Sequence, residues 1–126
     1  MKAFFDSELR IARLREVSAG WIRTRFVPHA AIKGAGVDCV HLAAEILREC
    51  GHLEHYAFPK YAVEGGGEWG GGGVIDWLST HPRFASVELE SPAVGDILIF
   101  RNSNESLPHH VGIFLGENRF ISAMPR

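Results

Sequence analysis

Val37-Asp38-Cys39-Val40-His41-Leu42-Ala43-Ala44-Glu45-Ile46-Leu47-Arg48-Glu49-Cys50-Gly51 reads as one helix with both ends marked. Asp38 stands where an N-cap belongs, and Gly51 is placed to close the helix. Val40, Leu42, Ala43, Ile46, Leu47 and Cys50 recur with helical spacing and build one apolar face. Cys39 falls in the first turn. The unpaired N–H groups and the positive dipole end there favour a thiolate, which is the nucleophilic form of cysteine.

Upstream, the spacing predicts an amphipathic helix from Ser7 to about Gly20. Leu9, Ala12, Leu14 and Val17 are expected near its apolar face, with Arg10, Arg13 and Glu16 opposite. Asp6 or Ser7 can cap it, and Gly20 can end it. Trp21 to Val27 reads as a short extended piece before Pro28, and Lys33-Gly34-Ala35-Gly36 as a turn. Downstream, His52 to Gly73 is loop. Seven of the chain's 14 glycines crowd into Glu64–Gly73 around Trp69, which suggests a flap. Val74 to Thr80 reads as a third helix, stopped before Pro82.

The last third changes period. Asp96–Arg101, Val111–Leu115 and Arg119–Ala123 are β-prone runs, and Gly116-Glu117-Asn118 suits a hairpin turn. Helices followed by an antiparallel meander make an α+β fold, with one domain spanning 1–126.

A base for Cys39 has to come from elsewhere in the chain, and His110 opens the second β run. By itself this pairing is unspecific, since free cysteines are usually inert core residues. Three linked motifs narrow it. Gly36-Val37-Asp38-Cys39-Val40-His41-Leu42 resembles the nucleophile motif of the NlpC/P60 family of papain-like cell-wall cysteine peptidases. Pro92-Ala93-Val94-Gly95-Asp96-Ile97-Leu98-Ile99-Phe100 is similar to that family's Pro-x-x-Gly-Asp strand. His110-Val111-Gly112-Ile113-Phe114-Leu115-Gly116 is similar to its base motif. The segment Lys33 to Cys39 is closest in flavour to the phage-encoded branch. The likeness runs from about Ala19 to Ala123.

The resemblance implies a papain-like fold with N-terminal helices packed on a C-terminal sheet. It implies Cys39 as nucleophile, His110 as base, and peptidoglycan stem peptide as substrate and partner. Ser122 matches the polar residue that orients the base. It brings no charge to an imidazolium, so a weaker triad is expected. Phe26 stands where the family usually has a tyrosine near the substrate, and His41 replaces a glycine, which is expected to crowd the first helical turn. Asp38, Trp69 and His109 join Phe26 and His41 as candidate substrate contacts. Relatives generally continue with further strands, so the last strand here is expected to be an exposed edge, open to self-association or a phage-tail partner.

A rival reading is a catalytically silent member that binds cell-wall peptide or serves in tail assembly. A third moves an acyl group to an amine or lipid. No cofactor is expected, and no metal: Cys50-x-His52-x-x-His55 lacks a fourth ligand. Cys50 reads as a core thiol, about 16 Å along the helix from Cys39 and too far to bridge to it. The formal charge of -2 leaves no basic surplus for nucleic acid. No apolar run is long enough for a membrane span. Charges directly after Phe5 argue against a secretory signal, so synthesis in the cytoplasm is expected, with later association with a virion or the cell wall.

Overall fold

The computed structural model describes residues 3–58, 74–87, 90–100 and 110–124. Trp69, His109, the glycine-rich stretch at 64–73 and the gap at 102–108 lie outside them.

The first helix, α1 (Glu8–Ala19), begins where the Ser7 hydroxyl accepts the Arg10 N–H at 3.2 Å, and it ends at Gly20. Its buried face differs from the expected one. Leu14, Val17, Ser18 and Trp21 are buried, whereas Leu9 is 82% exposed and Ala12 is exposed. The helical step of 100° explains this: positions 14, 17, 18 and 21 form one stripe, and position 9 lies about 140° from position 14.

Only part of the segment after α1 is extended. Gly20 to Arg23 turns, and Phe26 alone forms a parallel bridge with Val37. A two-residue antiparallel ribbon follows, β1 (Ala31–Ile32) with β2 (Gly36–Val37), closed by the expected turn at Gly34. Strands this short carry little pattern in a sequence. Lys33 in the turn holds both oxygens of Glu49, at 2.8 and 2.9 Å, and so ties the ribbon to the next helix.

That helix, α2 (Cys39–Glu49), is the centre of the core. Cys39, Val40, Leu42, Ala43, Ala44, Ile46 and Leu47 are all buried. The His52 N–H reaches the Leu47 carbonyl at 3.0 Å and the Gly51 N–H reaches that of Arg48 at 3.0 Å, the paired Schellman closure. The left-handed Gly51 (φ +85°) makes it possible. Helix α3 spans Val74–Thr80.

The main sheet is antiparallel, in the order β3 (Ile97–Phe100), β4 (His110–Gly116) and β5 (Arg119–Ile121). Glu117 and Asn118, at φ +54° and +59°, form the β4–β5 turn, the primed geometry that suits a right-twisted hairpin. Strand β4 is central and packs on α2, with Val111 and Ile113 in the core. The fold is therefore α+β, with helices packed against an antiparallel sheet. Among the described residues β5 pairs with β4 alone, and its Phe120 is 45% exposed.

Ile46 is fully buried in the core. Ile46→Ala should lower unfolding stability by about 2–5 kcal/mol, while Leu9→Ala should change it by no more than about 0.5 kcal/mol. Urea titration of the two variants checks the reassigned face of α1.

Candidate active site

Asp38 builds the start of α2. Its Oδ1 accepts the His41 N–H at 2.9 Å and the His41 Nδ1–H at 2.8 Å. Its Oδ2 accepts the His29 N–H at 2.7 Å. The carboxylate is 1% exposed, so these donors replace water around a charge that burial would otherwise make costly. Together they clamp the loop before the ribbon onto the helix that carries Cys39. His29 takes φ +61° to deliver its N–H, a left-handed conformation uncommon for a residue with a side chain.

His41 does not crowd the turn. Its ring swings to Asp38 and packs edge-on to Phe58, with centroids 5.4 Å apart and Tyr56 alongside. Tyr56 in turn donates to Glu45 at 2.5 Å. A glycine at 41 would leave Asp38 without this side-chain partner. Phe26 is half-buried against the core, bridged to the residue just before Asp38.

On the sheet, His110 opens β4 opposite Phe100, and Phe100 also stacks near Phe120, with centroids 5.1 Å apart. Ser122 lies just past β5. Its hydroxyl donates to the Val111 carbonyl at 2.5 Å and pairs with Nε2 of His110. A serine has one proton, and here it goes to the carbonyl, so Ser122 must accept from Nε2–H. That fixes the neutral imidazole with its lone pair on Nδ1. Gly112 allows the approach: a Cβ there would lie 2.8 Å from the Phe120 ring and 3.4 Å from Cβ of Ser122.

The backbone amides of Val111, the neighbour of His110, and of Val40 and Cys39 itself all pull the Cys39 thiol toward a lower pKa. The structure thus brings the start of α2 to the start of β4. The expected thiolate stabilisation is nevertheless outweighed. Burial comes first and Asp38 adds to it, and the Cys39 thiol is pushed up to about 11. Cys39 is only 6% exposed. Cys50, also free, sits just past the helix and is likewise pushed up to about 11 by burial.

Other candidates settle into local roles. The His52 ring donates through Nε2 to the Arg83 carbonyl at 3.1 Å and stacks between Phe4 and Phe84. Among the described residues no three His, Cys, Asp or Glu side chains converge as a metal site. Asp96 closes a turn by accepting the Ala93 N–H at 2.8 Å. A groove of about 930 Å³ lies between Phe4, Arg10, His52, Phe84 and Ile99, but it includes none of Cys39, His110 and Ser122. A smaller apolar void under α2 also excludes them. The candidate site therefore rests on the hydrogen-bond geometry at the α2–β4 junction. Sequence reading missed the Val111 and His29 amides. Both act through the backbone, which no residue type announces.

The high thiol value has a consequence for stability. Folded Cys39 binds its proton more tightly than the unfolded chain does. Its contribution is complete below the unfolded value of about 8.5 and is lost as pH rises toward 11. One such group makes stability fall by about 1.4 kcal/mol per pH unit inside that window. Urea titrations at pH 8 and pH 10 should show Cys39→Ala losing less stability than the parent chain, with the slope from Cys50 remaining.

The model of the NlpC/P60 family matches residues 24–126. No curated protein matches the chain.

Proposed function

The chain belongs to the NlpC/P60 family, and from that premise we propose that it is a cysteine peptidase that hydrolyses amide bonds in peptidoglycan stem peptides through a Cys39 thioacyl-enzyme. Family membership points to a cell-wall peptidase or amidase. The observation that carries the finer reading is the Val111–Ser122–His110 chain of hydrogen bonds beside the Cys39 sulfur. It holds His110 in the tautomer whose Nδ1 can take a proton.

In this reading the Cys39 S–H proton passes to Nδ1 as sulfur attacks the amide carbonyl carbon. The C=O π pair moves to oxygen, and the first-turn amides of α2 stabilise that oxyanion. His110 then gives the proton to the leaving nitrogen and the C–N bond breaks, leaving a thioester. Water attacks the thioester, gives up a proton through His110, and frees the acid and the thiol. A buried thiol near 11 leaves little standing thiolate at neutral pH, so the proton must move as the carbon–sulfur bond forms. Ser122 offers His110 a lone pair but no charge. The similarity of Lys33 to Cys39 to the phage-encoded branch supports a tail-associated or prophage setting.

The buried, weakly acidic Cys39 also favours a second reading, in which the domain binds cell-wall peptide without cutting it.

Purified protein incubated with a synthetic stem peptide and followed by mass spectrometry separates the two. Hydrolysis is expected, together with its loss in Cys39→Ala and in His110→Ala. Ser122→Ala should lower kcat by about tenfold or more with KM little changed. Full activity in Cys39→Ala would sink the mechanism. Peptide binding with no product from the parent chain would favour the binding reading.

A further inference from the structure

Phe100 and Phe120 stand on either side of the strand that carries His110. Phe100 is directly opposite His110 in the β3–β4 register, and Phe120 is opposite Phe114 in the β4–β5 register. Two strand spacings separate their backbones by about 10 Å, yet the ring centroids are only 5.1 Å apart. The two rings therefore lean toward each other across β4. Gly112 leaves the room, since a Cβ there would lie 2.8 Å from the Phe120 ring. Phe100 also meets the base itself. Its ring centroid is 6.0 Å from that of His110, with the planes 38° apart, a spacing at which aromatic rings attract.

Core formation does not account for Phe100. Among the described residues Phe5, Phe26, Phe58 and Phe84 are half-buried and pack against the hydrophobic core, and Phe100, equally half-buried, does not. Its ring contacts are His110 and Phe120 instead. His110, in turn, is 7% exposed and is held at Nε2 by the neutral hydroxyl of Ser122. An imidazole turns about two side-chain torsions, and the outer one is broad. One hydrogen bond at Nε2 does not by itself fix where Nδ1 lies. A neutral hydrogen bond and an aromatic contact contribute net free energies of the same order. Since Ser122 brings no charge, the packing beside the ring carries a comparable share of its orientation.

We propose that Phe100 is a positioning residue for His110. Its ring, buttressed by Phe120 across Gly112, confines the imidazole so that Nδ1 keeps the orientation from which it takes the Cys39 proton. This rests on the peptidase reading above for the task of Nδ1, and it adds a residue that touches neither the nucleophile nor the hydrogen-bond chain through Ser122. Phe120 is 45% exposed, so it acts from the solvent side as a second layer behind Phe100.

The test combines steady-state kinetics on a synthetic stem peptide with NMR of the histidine ring nitrogens, the His110 signals being identified by their loss in His110→Ala. The parent chain is expected to show a single neutral tautomer, protonated at Nε2. In Phe100→Ala the two nitrogens should shift toward the values of an averaged imidazole. Its kcat should fall about tenfold with KM little changed. Phe120→Ala should give a smaller change in the same direction, and it keeps the comparison open if Phe100→Ala does not fold. Phe100→Leu restores apolar bulk and should recover most of both effects. Ile99→Ala controls for loss of a β3 side chain, because alternation turns Ile99 to the other face; it should leave kcat and the His110 signals unchanged. Parental His110 signals in both alanine variants, or parental kcat in Phe100→Ala, overturn the positioning role while leaving hydrolysis by Cys39 standing. If the parent chain cuts no peptide, the peptidase reading falls by itself, and the NMR comparison still decides whether Phe100 confines the imidazole.

Discussion

The site hangs on the buried carboxylate of Asp38. Three N–H groups converge on its two oxygens: one from the loop before the ribbon and two from His41. Water is excluded there, so each bond acts in a low dielectric and each unmade bond would be costly. The carboxylate therefore does more than cap α2. It fixes the angle at which the chain enters the helix, and with it the position of the Cys39 sulfur relative to β4. Lys33 and Glu49 repeat the tie at the far end of the helix with an exposed pair, which contributes far less.

The same burial that makes this clamp strong works against the nucleophile. A helix start offers amides and a favourable dipole end to a thiolate. Desolvation outweighs them at Cys39, because the sulfur lies inside the α2–sheet contact and Asp38 adds a negative neighbour. The site has been tuned for placement more than for acidity. His110 shows the same balance: its tautomer is fixed by a hydroxyl that is itself fixed by a backbone carbonyl. Orientation is supplied throughout by short, local hydrogen bonds, and charge is supplied hardly at all.

Much of the fold was legible. Helix α2, its Asp38 cap and its Gly51 closure follow from side chains whose local chemistry has few alternatives. The β4–β5 turn and the entry of His110 at a strand start were equally visible. The face of α1 was not, because Leu9 and Leu14 are both leucines and only packing tells which one meets the core. The ribbon at Ala31–Val37 escaped because two residues per strand cannot establish a period. His41 was misjudged as an intruder, since nothing in its spacing says that a carboxylate three residues back will turn its ring aside.

By itself, then, the sequence determined which elements form and which residue types carry the chemistry, because caps, turns and periodicity act over a few residues. Its three motifs also carried the family. Only the tertiary structure decided the state of those residues. Whether Cys39 is acidic or inert depends on how much water α2 and β4 exclude from it. The proton positions on Ser122 and His110 depend on a carbonyl brought near by strand register.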